Sequence, residues 1–245
     1  MEFKLLYFAY LVLCVIAIFD ILFTIRKNSL LKICFLLIIF SVFVMNYFTY
    51  ISITNRFQFV LVKCMRLVYA CSLMLAVIHL VTGRIPRWVT GIITFSTIFL
   101  IGIRIYFFDR IAIDVQSPLA SQIFAVGPEL NSPAPFARYA VFALAALVTA
   151  LTFYYYRVFL LTMSIENIDH KHFSRWILSM VIPFFLLVIF GILGTLNLYP
   201  QSLSQYLFSL FSFIVIFSIL FRPKMLNTTS YFHRRYDNPL VTDFR

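Results

Sequence analysis

The sequence predicts an all-α polytopic membrane protein: a bundle of seven transmembrane helices, N-terminus outside and C-terminus cytoplasmic. Three observations predict it. The 245 residues are 62% hydrophobic and 12% charged, with a mean hydropathy of +0.96, whereas a soluble domain is about a quarter charged. The apolar residues fall into seven separable runs. Each is near the roughly 20 residues that a helix needs to cross a hydrocarbon core about 30 Å thick. The bases are shared unevenly between the two sets of run ends, which gives the orientation.

The runs cover about 3–25, 30–53, 57–82, 88–108, 138–163, 176–199 and 203–221. The first ends at Arg26-Lys27-Asn28. No small-residue cleavage site follows it, so it reads as a retained span rather than a signal peptide. The third ends at Gly83-Arg84-Ile85-Pro86-Arg87 and the fourth at Asp109-Arg110. The sixth carries Pro183 in mid-run, with Gly191 and Gly194 after it. Proline kinks a helix and glycine permits close packing, so these three mark a candidate hinge. The seventh stops at Arg222-Pro223-Lys224. Backbone polar groups in lipid must pair internally, which makes the runs helices. A membrane barrel would instead show short alternating strands. Residues 1–222 therefore form one membrane domain, and 223–245 a cytoplasmic tail or linker to an effector domain that these residues do not contain. The long connection, residues 111–137, holds four prolines and reads as an outward-facing loop.

Thirteen of the 20 Lys and Arg lie at one set of run ends, among them Arg26, Arg84, Arg157, Arg175 and Arg222. The positive-inside tendency makes that side cytoplasmic. Seven spans then place the termini on opposite sides. The membrane expected is the bacterial inner (plasma) membrane, crossed many times. The net charge of +11 is accounted for by bases at the membrane surface, and no direct nucleic-acid contact by these residues is expected. Cys14, Cys34, Cys64 and Cys71 all fall in apolar runs and read as small buried residues.

Residues 61–68, LVKCMRLV, place Lys63 and Arg66 inside the third run, three residues apart and so near one helix face. Arg104 lies at a similar depth in the fourth run. Charges within a span are costly and normally face the bundle interior or snorkel to headgroups. Lys63, Arg66 and Arg104 are thus candidates for binding an anionic or amphipathic ligand, with snorkelling as the alternative. Nearer the other side, Asp20 is expected to pair with His79 or Arg157, either as a static clamp or as a contact that switches. The inner loop 164–174, SIENIDHKHFS, reads as solvated; its His-x-His spacing lacks the geometry of a metal motif.

No nucleophile motif, phosphate loop or metal-ligating set is present in the sequence. The seventh run has no lysine for a retinal Schiff base. The chain is therefore not expected to be an enzyme, and no cofactor or metal is expected. Broken-helix repeats, the usual mark of a transporter, are also missing from the sequence.

Seven spans with an outer N-terminus, followed by the exit Arg222-Pro223-Lys224-Met225-Leu226-Asn227, resemble the membrane sensor region of bacterial membrane-bound AraC-type (helix-turn-helix) transcription regulators. The resemblance covers roughly residues 1–228. It implies a sensor that detects an external or outer-leaflet ligand and relays it to a cytoplasmic effector regulating transcription. The sequence departs from that pattern in lacking the DNA-binding helices, so the effector would be a further domain or a partner protein. A small anion or lipid transporter and a non-catalytic assembly subunit are the alternatives. The lipid bilayer is an expected partner beside the ligand and the effector; the oligomeric state is open and admits a homodimer.

Overall fold

The computed structural model describes residues 2–25, 29–51, 56–82, 87–106, 146–147, 149–154, 157, 168–195 and 201–222. Among them are seven helices: α1 (Glu2–Thr24), α2 (Ser29–Ile51), α3 (Arg56–Thr82), α4 (Arg87–Tyr106), α5 (149–154 described), α6 (Ile168–Thr195) and α7 (Gln201–Leu220). Four contain apolar stretches long enough to cross a membrane: Leu5–Thr24, Leu30–Ile51, Phe57–Val81 and His172–Phe190. The apolar stretches of α4 and α7, Arg87–Ile103 and Tyr206–Leu220, are shorter. The described residues are helical, and these apolar helices suit a membrane protein.

α1 to α4 and α7 fall on the first four apolar runs and on the seventh. The sixth run differs: its helix starts at Ile168 instead of Trp176, so the second half of the expected inner loop is helical. Residues 168–175 contain no Gly or Pro to stop a helix. Asp169 also sits in the first turn, where the helix dipole favours an acid. Pro183 is buried and lies inside α6, and Gly191 and Gly194 fall in the same helix. The long connection 111–137 and the tail 223–245 lie outside the described residues.

Side-chain spacing decides which face each helix buries. In α1 the buried residues are Tyr7, Tyr10, Cys14, Ala17 and Ile21, at alternating steps of three and four. That period draws one seam along the helix. Phe8, Val12, Val15, Phe19 and Phe23 on the remaining surface stay exposed, which suits lipid and not water. α4 likewise buries Val89, Ile93, Thr97 and Leu100 and exposes Ile92, Phe95, Ile98 and Phe99. α3 is the centre. It packs against α2, α4 and α6, and Leu73, Met74, Ala76, Val77, Ile78 and Leu80 are buried on successive sides of it.

Individual contacts fix the helix directions. Phe8 meets Tyr50 at one end of the α1–α2 pair, and Lys32 Nζ donates to the Leu22 carbonyl at the other, so the pair is antiparallel. Between α1 and α7, Tyr7 stacks on Tyr206, Tyr10 packs against Phe213 and Asp20 meets Arg222, so these two run parallel. α6 and α7 are antiparallel: Phe190 stacks on Phe211 and Trp176 reaches Ser218. Phe153 of α5 packs edge-on against Phe185 of α6. The starts of α1, α3 and α7 and the end of α2 therefore share one end of the bundle, called here the amino end. The ends of α1, α3 and α7 share the other, the carboxyl end.

Phe35, fully buried on α2, supplies a direct check on this packing. Phe35→Ala should cost about 3–5 kcal/mol of stability through lost contact and a residual cavity. Phe95→Ala, on the exposed face of α4, should change stability by less than about 0.5 kcal/mol. Reversible unfolding in mixed micelles measures both.

Candidate functional site

Polar groups are scarce in these helices, and two polar assemblies account for much of what is buried. Both involve α7, one at each end.

At the carboxyl end, Arg222 follows the last turn of α7. Its Nη1 donates to Asp20 Oδ2 of α1 at 2.5 Å and to the Ile219 carbonyl at 3.1 Å. The Arg222 side chain is only 4% exposed, that of Asp20 36%. Thr24, one turn after Asp20, donates to its carboxylate and to its backbone carbonyl, which fixes the acid's rotamer. The partner expected for Asp20 is His79 or Arg157; the structure supplies Arg222. The physical reason is that α1 and α7 lie side by side and parallel, so their last turns share one depth. His79 lies half-buried near the end of α3, and Arg157 is exposed on α5. Beside the pair, Trp176 Nε1 donates to the Ser218 carbonyl at 2.6 Å, and Ser179 Oγ meets Ser218 Oγ at 2.9 Å. These bonds tie α6 to the same end of α7.

At the amino end, a polar seam runs between α7 and helices α1, α2 and α3. Asn46 of α2 is buried; its Nδ2 donates to the Val42 carbonyl, and its Oδ1 accepts from Ser209 Oγ of α7 at 3.0 Å. Ser212, one turn further along α7, is fully buried beside Tyr69 of α3. The Tyr69 ring packs edge-on against Phe208, centroids 5.4 Å apart. Arg66, one turn before Tyr69, holds its guanidinium carbon 5.0 Å from the centre of the same Phe208 ring. Such a cation over an aromatic face is worth about 0.5–2 kcal/mol, more when desolvated.

The three expected ligand-binding bases are thus placed differently. Arg66 is half-buried and turned toward α7. Lys63, also half-buried, lies over Phe59 of its own helix, 5.2 Å from the ring centre. Arg104 falls in the last turns of α4, and its side chain lies outside the described residues. α3 and α4 are themselves joined by Cys71 Sγ and Thr97 Oγ1, 2.7 Å apart. Thr97 already donates to the Ile93 carbonyl, so the thiol is the donor between them. All four cysteines are free and buried, as their apolar runs imply.

Reading the sequence for charge overlooked Tyr7, Asn46, Tyr69, Ser209 and Ser212, which carry no charge. The signal that finds them is a hydroxyl or amide within a span, above all the i, i+3 serines of α7. Arg222 was legible only as a helix-stopping base at the membrane surface; its inward turn depends on the neighbour.

No family model matches the chain, and no curated protein or solved structure is similar to it.

Removing one partner of the end clamp tests its weight. Asp20→Asn leaves an enclosed guanidinium without its counter-charge, which costs about 3–5 kcal/mol for a fully buried pair. With Asp20 partly exposed, about 2 kcal/mol is expected. In a double-mutant cycle, Asp20→Asn with Arg222→Gln should cost clearly less than the sum of the two single changes. Additive losses would mean that the two groups do not act as a pair.

Proposed function

We propose that this chain is a seven-span membrane sensor of the bacterial inner membrane. It would detect an anionic or amphipathic ligand from outside or from the outer leaflet, and relay that event to a cytoplasmic effector that regulates transcription. In this reading the amino end of the bundle faces outward, the carboxyl end faces the cytoplasm, and 223–245 leads to the effector. The observation that carries it is the position of Arg66: a half-buried cation at the α3–α7 interface, over Phe208. An intramembrane base turned toward a neighbouring helix and not toward lipid is a functional-site signal.

α7 is the natural relay. Its amino end contributes Phe208, Ser209 and Ser212 to the seam, and its carboxyl end is fixed to α1 through Arg222 just before the tail. A ligand that binds more tightly when α3 and α7 stand apart shifts α7, and with it the exit segment. Differential affinity for two bundle states is all this mechanism needs. The resemblance of spans and exit segment to AraC-type membrane regulators supports the choice of a transcriptional effector.

Two measurements test the reading. A phosphatase fused behind Arg245 should be inactive, and one inserted in the 111–137 connection active; the reverse pattern removes the direction of signalling. In the native host, a strain carrying Arg66→Ala should match the deletion strain in its transcript profile while the protein accumulates normally. A wild-type profile in that strain removes Arg66 from the site.

A further inference from the structure

The last turn of a helix leaves carbonyls that no N–H of the same helix reaches. At the end of α7, three carbonyls in a row are met by three different groups. Phe221 N–H closes on the Phe217 carbonyl. Trp176 Nε1 of α6 donates to Ser218, and Arg222 Nη1 donates to Ile219. The backbone donor that an unbroken helix would bring to Ile219 belongs to residue 223, which is proline and has no N–H. The Arg222 side chain stands in for it, and Asp20 of α1 holds Arg222 in place. The end of α7 is thus capped with the help of two other helices.

This cap is incompletely satisfied. The Arg222 side chain is 4% exposed, and its Nε–H has no acceptor among the described residues. Asp20 takes Nη1 with one oxygen, while its other oxygen accepts from Thr24. Enclosing a charged donor without an acceptor costs an amount of the same order as a partly exposed ion pair contributes, so the inward position of Arg222 is narrowly held. The way outward is short. Arg222 lies at the end of its span, Phe221 beside it is exposed, and Asp20 is partly so. A long basic side chain at a span end reaches headgroups by snorkelling, where phosphate oxygens can take Nε and Nη together. The same end of the bundle carries Lys32, Arg87 and Arg175 near the starts of α2, α4 and α6, and such bases gather anionic headgroups. We propose that Arg222 is a phosphate-binding residue with two positions: inward, capping α7 and paired with Asp20, and outward, paired with the phosphate of an anionic headgroup. Phosphate and the Asp20 carboxylate compete for one guanidinium. When phosphate takes it, Ile219 loses its donor and the last turn of α7 opens next to Trp176. A base at an anionic surface gains about fivefold in population (~1 kcal/mol), enough to shift two positions this close in free energy. The inference goes beyond the sensor reading and holds whichever end of the bundle is cytoplasmic.

The test uses the full chain in nanodiscs and the fluorescence of Trp176. The protein has two tryptophans, so Trp88→Phe, on the exposed face of α4, leaves Trp176 as the reporter. Acrylamide is the quencher, because it is uncharged and insensitive to lipid charge. In phosphatidylcholine alone, the enclosed Trp176 should be quenched weakly. In equal parts of phosphatidylcholine and phosphatidylglycerol, its quenching constant should rise about two- to fivefold. In the same background, Asp20→Asn should show the raised constant in phosphatidylcholine already and respond no further. Arg222→Gln should give one constant in both lipids, and serves alone if Asp20→Asn does not fold. Phosphatidylcholine nanodiscs given inorganic phosphate, against sodium chloride of equal ionic strength, separate the two sources of phosphate. A response to phosphatidylglycerol alone assigns the competitor to lipid, and a response to inorganic phosphate assigns it to the free anion as well; either sustains the proposal. No response to either, a phosphatidylglycerol response that persists in Arg222→Gln, or weak quenching of Asp20→Asn in phosphatidylcholine overturns it.

Discussion

The constraint on which the structure depends is that a polar group inside lipid must find its partner within the protein. The backbone meets it locally, by closing every span into a helix. Side chains cannot meet it locally to the same degree, and among the described residues several polar side chains tie two helices together while others turn back on their own carbonyls. Ser41, Thr49 and Ser218 turn back, each donating to the carbonyl four residues earlier. Asn46, Cys71, Trp176 and Arg222 reach across. These interhelical bonds help to fix which helices are neighbours and in what direction.

α7 shows how uneven this can be along one helix. Its carboxyl end is anchored twice, to α1 through a buried ion pair and to α6 through Trp176 and Ser218. Its amino end packs on the rings of Tyr7 and Tyr69 and meets Asn46 through Ser209.

Much of the architecture was legible because lipid leaves a strong imprint on sequence. Long apolar runs between base-rich junctions marked where α1 to α4 and α7 lie. The start of α6 was not legible from hydropathy, since Ile168–Arg175 is polar yet helix-compatible and the helix extends beyond its apolar run. Charge pointed to Lys63, Arg66 and Asp20 as residues that need partners. It could not say which partners, because Asp20 has several bases at similar depth along the sequence, and the one it meets among the described residues, Arg222, is set by helix packing.

Sequence alone determined the helical class and the places of the long apolar helices, because both depend on the local density of apolar side chains. Tertiary structure alone decided that α7 lies parallel to α1, that Arg222 turns inward to Asp20, and that Arg66 and Tyr69 share Phe208. Those pairings join residues far apart in the chain. They follow from which helix faces meet, and in a chain whose helices are apolar on nearly every side, the pattern of side chains does not name the face that will be buried.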